Sequence, residues 1–319
     1  MNVLSFDSFG APDVLRYRPH PDPAPGPAQA LVRTRAIGLN FADVYRRKGT
    51  YHLAGSPPYI AGYEGAGEIV SAPAGSGFAA GDRVGFADMP FANAELVAVD
   101  LAKLIPLPDD IGFDTAAAVL LQGLTAQYLV RDSHALKPGE RVLVHAAAGG
   151  VGGLLVQLCK ALGARVIGLT SSEAKAAQAR ESGADAVELY SQDWVAAAQG
   201  FAPGGVDVVY DSVGSTLAQS FAAARTGGHV VFYGMAGGDP PPVDPRMLMD
   251  TSKSLTGGDL WNVLTSADER RSRAGELFGW VRSGRLRVPV DSRFALADGA
   301  QAHARLESRA STGKVLLIP

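Results

Sequence analysis

The chain has 319 residues, of which 47 % are hydrophobic and 19 % charged, an ordinary globular composition with length enough for two domains. A net charge of −3 gives no electrostatic reason to expect nucleic acid or an anionic membrane as partner, and no apolar run reaches the about 18 residues of a membrane-spanning helix. The single cysteine, Cys159, excludes a disulfide within the chain, which suits the cytoplasm, and MNVLSFDSFGAPDVLRYRP lacks the basic-then-apolar pattern of a secretion signal.

Residues 1–123 are rich in Pro, Gly and short β-like runs. PHPDPAPGP (Pro19–Pro27) is too proline-rich for a helix and reads as an extended linker. ALVRTRAI (Ala30–Ile37) alternates apolar and polar residues and predicts a half-buried strand. A turn and short helix follow in GLNFADVYRRKG (Gly38–Gly49). Further strands are expected after Gly62, after the Gly81-Asp82 turn, and over Ala94–Val99. Many short strands with Gly and Pro between them predict a partly open β-barrel.

From Asp114 the pattern changes. DTAAAVLLQGLTAQYLV reads as a helix with Asp114 or Thr115 as N-cap. RVLVHAAAGGVGGLLVQLCKALGARVIG (Arg141–Gly168) then reads as strand, glycine-rich turn, helix and strand, with Gly163 at the helix C-terminus. A glycine turn between the first strand and helix of a βαβ unit exposes backbone N–H groups to a dinucleotide pyrophosphate. In the pattern G-x-G-x-x-G the first glycine is replaced by Ala147, while Gly149 and Gly152 keep the other two places. Helices at Glu173–Ser182 and Leu217–Arg225 alternate with strands at Ala186–Glu188, Val206–Asp211 and His229–Gly234, and Ser254–Trp261 offers a last strand. This alternation predicts a doubly wound parallel sheet of the Rossmann type, so the fold class is α/β. The tail, with helices at Ala267–Ser283 and near Ala297–Glu307 and the strand Lys314–Ile318, is expected to pack on the first domain. The expected domains are therefore 1–123 with 264–319, and 124–263.

The cofactor choice turns on the end of the second strand. NAD enzymes place a carboxylate there, about 20 residues on, for the ribose 2′-hydroxyl. Here Ser171 and Ser172 stand there, with Lys175 one helical turn on. Hydroxyls and an ammonium tolerate a 2′-phosphate that a carboxylate repels, which favours NADPH; Glu173 nearby leaves NAD open. Zinc-type medium-chain dehydrogenases need a Cys ligand in the first domain and a Gly-His-Glu segment. This chain has Asn40 and Gly62-Tyr63-Glu64 in those places, and its six histidines are dispersed. No metal is expected, and without a Lewis acid an acceptor that takes hydride easily fits better than an alcohol.

GLNFADVYRRKG, the Pro58–Gly67 segment, LLQGLTAQYLV, HAAAGGVG, DVVYDSVG, GHVVFYG and ESRASTGKVLLIP together resemble the zinc-independent, ζ-crystallin-like quinone oxidoreductases of the medium-chain dehydrogenase/reductase superfamily. The resemblance implies a chaperonin-10-like irregular β-barrel beside a Rossmann domain, with NADPH in the cleft, and usually a homodimer. It implies hydride transfer to a quinone. Reduction of α,β-unsaturated aldehydes or ketones is an alternative, and so is a non-enzymatic NADPH-binding protein. It places Lys175, Tyr190 and Arg309, with Ser171, on the 2′-phosphate, and Ala148, Gly149, Gly150 and Val151 at the pyrophosphate. Asn40 and Thr125 stand beside the nicotinamide, with Phe232 and Gly234 on its other side. Tyr45 and Tyr51 line the substrate pocket. On this reading Asn40 or a nearby tyrosine donates to the developing quinol oxygen.

Overall fold

The computed structural model describes Met1–Pro319. The chain divides into two compact units: Met1–Gln122 with Leu264–Gly279 and Val288–Pro319, and Gly123–Val263 with Trp280–Arg287.

The first unit is built on a seven-stranded sheet. Its order is Val290–Ala295, Lys314–Ile318, Gln29–Gly38, Glu64–Ser71, Arg83–Ala87 and Ile105–Pro106, with Leu96–Asp100 also paired to Gln29–Gly38. A three-stranded sheet of Arg16–Pro19, Asn2–Phe6 and Tyr59–Ile60 accompanies it. The alternation in Gln29–Gly38 does what it predicts: Ala30, Val32, Thr34 and Ala36 are buried, while Arg33 and Arg35 face water. Val32, Ile69, Val84, Phe86, Val97 and Leu104 form one of its cores. This is the partly open barrel expected from the short strands, with the tail strand Lys314–Ile318 antiparallel to Gln29–Gly38. The parallel neighbour Val290–Ala295 has no clear alternation in sequence; Val290–Ser292 and Phe294 are half-buried, and Arg293 and Ala295 are exposed.

The second unit carries a six-stranded, all-parallel sheet. Its order is Ala186–Leu189, Arg165–Thr170, Arg141–Val144, Val206–Asp211, Ala224–Phe232 and Ser254–Gly257. In chain order this is 3-2-1-4-5-6, the doubly wound dinucleotide-binding arrangement. Leu143, Ile167, Leu169, Val209 and Val230 pack there with Trp194, Leu217 and Phe221.

Several boundaries differ from expectation. The helix Phe113–Tyr128 starts one residue before Asp114, with the Ala116 N–H on the Gly112 carbonyl. Asp114 is therefore in the first turn, where its carboxylate suits the helix dipole and meets Arg293 at 2.6 Å, and it is not the cap. The helix from Leu217 ends at Ala223, because the next strand begins at Ala224 with an irregular register before His229. The last strand is only Ser254–Gly257; Leu260–Val263 is a short helix instead. No helix is long and apolar enough to cross a membrane.

Candidate functional site

The glycine-rich turn joins the strand Arg141–Val144 to the helix Gly150–Ala161. Gly149 is the N-cap and has no side chain to satisfy the first helical N–H groups, and no acid stands in the first turn. That leaves a positive helix end lined by Ala148, Gly149, Gly150 and Val151, the chemistry that accepts a pyrophosphate. A Cβ on Gly152 would lie 2.2 Å from the Ala146 carbonyl oxygen, so only glycine lets the helix start this close to the turn. The alanine in place of the first glycine has a partner in the neighbouring strand: a Cβ on Gly168 would come within 2.7 Å of the Ala147 methyl. The volume added at one position is removed at the other.

Downstream, Ser171 is exposed after the strand Arg165–Thr170, and Lys175 is half-buried in the first turn of the helix Glu173–Glu181. Ser172 caps that helix, its hydroxyl accepting from the Lys175 N–H at 3.4 Å. Tyr190 follows the strand Ala186–Leu189, and its hydroxyl faces back to the glycine turn. Phe232 ends its strand and Gly234 follows it, both half-buried, while Thr125 is half-buried in the helix Phe113–Tyr128. Arg309 belongs to the first unit, exposed and left-handed (φ 57°) just after the helix Gly299–Glu307.

In the first unit, Asn40 precedes the helix Phe41–Lys48, and its backbone N–H donates to the Asp43 carboxylate at 2.9 Å. Its side-chain amide is fully engaged. Asn40 Nδ2 donates to the Gly38 carbonyl at 3.2 Å and to Glu64 Oε2 at 2.9 Å. Asn40 Oδ1 accepts from Lys314 Nζ at 2.8 Å and from Gln122 Nε2 at 3.2 Å. The amide expected to donate to a quinol oxygen thus has both N–H groups directed into the protein. Lys314 also meets Glu64 Oε2 at 2.5 Å, and the Leu121 N–H donates to Glu64 Oε1 at 2.6 Å. Lys314 is 1 % exposed and Glu64 fully buried. Burial pushes the Glu64 carboxyl up and the Lys314 ammonium down; Lys314, Asn40 and the Leu121 N–H draw the carboxyl back. The pair carries no net charge whether the proton rests on Nζ or on the carboxyl.

A second buried pair adjoins it. Arg46 meets Asp43 at 3.2 Å, and its guanidinium carbon stands over the Tyr63 ring, 3.5 Å from the centroid, and 5.2 Å from the Tyr51 centroid. Tyr45 and Tyr51 come together edge to face, their centroids 6.3 Å apart. Sequence reasoning missed Lys314, read only as the first residue of an apolar strand, and Gln122. A lysine opening the run KVLLI was the available signal, since a strand buried on both faces leaves an ammonium no route to water.

A model of the alcohol dehydrogenase GroES-like domain matches residues 26–134, and a model of the zinc-binding dehydrogenase matches residues 150–270. A quinone oxidoreductase of Pseudomonas aeruginosa is 41 % identical over 99 % of both chains. The crystal structure of Escherichia coli quinone oxidoreductase complexed with NADPH superposes with a TM-score of 0.96 at 36 % identity, covering 100 % of each chain. This chain belongs to the quinone oxidoreductase family of the medium-chain dehydrogenase/reductase superfamily. A 2-haloacrylate reductase of Burkholderia is also 37 % identical, over 97 % of this chain and 96 % of its own.

Zinc, which the second family description mentions, does not fit the residues of this quinone oxidoreductase relative. Asn40 and Tyr63 offer neither thiolate nor imidazole, and Lys314 and Asn40 both donate to the one Glu64 oxygen that faces them. No three His, Cys, Asp or Glu side chains converge on one point. The dinucleotide fits better: an uncapped helix N-terminus, a close-packed glycine and no acid after the second strand.

Proposed function

We propose that this protein reduces quinones with NADPH by hydride transfer, without zinc. The observation that carries the reading is the Asn40–Glu64–Lys314 cluster, in which a buried ammonium meets the carboxylate that would serve a metal. When bound, the nicotinamide supplies the hydride. The residues of this chain bind and orient. Ala148, Gly149, Gly150 and Val151 present the positive helix end to the pyrophosphate. Lys175, Ser171 and Arg309 supply cationic and hydroxyl groups for the 2′-phosphate. Thr125, Phe232 and Gly234 flank the nicotinamide, and Tyr45 and Tyr51 form an aromatic wall for a planar acceptor. Asn40 is a positioning residue here, because its amide is held by Glu64, Lys314, Gln122 and Gly38. A quinol anion takes its proton from water, so no side chain is required as general acid.

The relatives' names support the same reading, and the 2-haloacrylate reductase among them supports a second: reduction of an activated C=C bond at the same site. Purified protein is assayed for NADPH and NADH oxidation with benzo- and naphthoquinones beside α,β-unsaturated aldehydes, ketones and acids. Turnover of quinones with NADPH preferred is the expected result. Turnover of enones alone supports the second reading, and no turnover with tight NADPH binding overturns both. A homodimer is expected by light scattering.

A further inference from the structure

The loop between the helix Phe41–Lys48 and the strand Tyr59–Ile60 is held by two buried side chains that stack on each other, Arg46 and Tyr63. Residues 51–58 form neither helix nor strand, so no ladder of backbone bonds fixes their path. Arg46 Nε donates to the His52 carbonyl at 3.2 Å, and Arg46 Nη2 faces His52 Nε2 at 3.4 Å. In the same loop the Ala54 N–H donates to Tyr63 Oη at 3.0 Å. Arg46 and Tyr63 are only 2 % and 4 % exposed. The loop is thus tied at two backbone positions to side chains that water does not reach.

Arg46 is itself anchored at the start of its helix. The Asn40 backbone N–H donates to Asp43 Oδ2 at 2.9 Å, and Arg46 Nη1 donates to Asp43 Oδ1 at 3.2 Å. A guanidinium has donors on divergent edges, so one edge serves the Asp43 carboxylate while Nε serves the loop carbonyl, and its flat face packs on Tyr63. A lysine ammonium in this place reaches Asp43 but has neither the planar face nor the second donor edge. Tyr51 stands next to the His52 anchor. Its ring centroid lies 5.2 Å from Arg46 Cζ, 4.0 Å from the His52 ring and 6.3 Å from Tyr45. Arg46 therefore fixes both the backbone beside Tyr51 and one side of its ring.

We propose that Arg46 is a positioning residue for the hydride acceptor, holding the loop after its helix so that Tyr51 stands beside Tyr45 in the aromatic wall. This rests on the reading of Tyr45 and Tyr51 as that wall. It assigns to Arg46 an effect on acceptor binding and none on the dinucleotide.

The test joins steady-state NADPH oxidation with benzo- and naphthoquinones to hydrogen exchange of the intact protein over residues 49–55. Arg46→Lys keeps a charge beside Asp43. It is expected to raise the acceptor KM about two- to tenfold, as for one lost hydrogen bond, with kcat and the NADPH KM within about twofold of the parent. Exchange over residues 49–55 is expected to quicken by a similar factor. If Arg46→Lys does not fold, Arg46→Met with Asp43→Asn, which leaves no unpaired charge, takes its place with the same expectation. Tyr51→Ala is the reference and is expected to raise the acceptor KM at least as far. Unchanged exchange over residues 49–55 overturns the proposal. So does an acceptor KM that stays at the parent value while Tyr51→Ala raises it, or a loss shared equally by kcat and the NADPH KM. If Tyr51→Ala leaves the acceptor KM unchanged, or the parent turns over no quinone, the reading of the aromatic wall fails, and the proposal with it.

Discussion

The two functional regions hold their backbone in opposite ways. In the first unit Asn40 is fixed by charge: Lys314 and Glu64 face each other at 2.5 Å, with Asp43 and Arg46 beside them. In the second the glycine turn is fixed by a neutral relay from Ala146 through Tyr190, His145 and Ser220, charged only at its far end, Asp211. The difference follows from what each must present. A pyrophosphate calls for bare backbone N–H groups, and an anion anchored beside the turn would repel it. In the first unit a buried pair of no net charge fixes the Asn40 amide and adds no excess charge around it.

Breaking the charged cluster is expected to cost most. Lys314→Met leaves a buried carboxylate without its partner and is expected to destabilise the protein by about 3–5 kcal/mol in urea unfolding. Lys314→Met with Glu64→Gln removes both charges and is expected to recover most of that loss. Equal losses in the single and double variants would show that packing, and not the ion pair, carries the effect.

Acid is expected to act next, on both regions. Burial lowers His145 to about 4 and His303, beside Arg47, to about 3, from an ordinary 6.5. Both folded values lie below the unfolded one, so both rings fold neutral. Their contribution is complete above pH 6.5 and is lost as pH falls, because the unfolded chain takes up protons the folded chain refuses. Stability is expected to drop by about 1.4 kcal/mol per pH unit for each ring, levelling near pH 4 for His145. His145→Gln is expected to remove one proton's share of that slope, and an unchanged slope would contradict the neutral relay.

The Lys175→Ala change is expected to raise the NADPH dissociation constant about tenfold, as for one charge-assisted hydrogen bond, with stability unaltered. At the small end stands Arg293 with Asp114, an exposed pair whose loss in Arg293→Ala is expected to shift stability by less than about 1 kcal/mol.

The two regions were not equally legible in sequence. The turn was, because its requirements are local: HAAAGGVG has its strand before it and its helix after it within 28 residues of one segment, Arg141–Gly168. The parallel, doubly wound sheet followed from the alternation of strands and helices. The cluster around Asn40 was only half legible. Asn40 and Glu64 stood out as replacements for metal ligands, but Lys314 lies 250 residues from Glu64 and 274 from Asn40, joined to them only by strand pairing. His145 and Tyr190 likewise meet across 45 residues, and a histidine at the end of a buried strand gives no sign of which neighbour it bonds.

The most direct test of the central claim is quinone-dependent oxidation of NADPH, followed by its absorbance, before and after exhaustive dialysis against a zinc chelator. The proposed zinc-independent reduction predicts an unchanged rate and no stimulation by added zinc. A rate lost on dialysis and restored by zinc would contradict it.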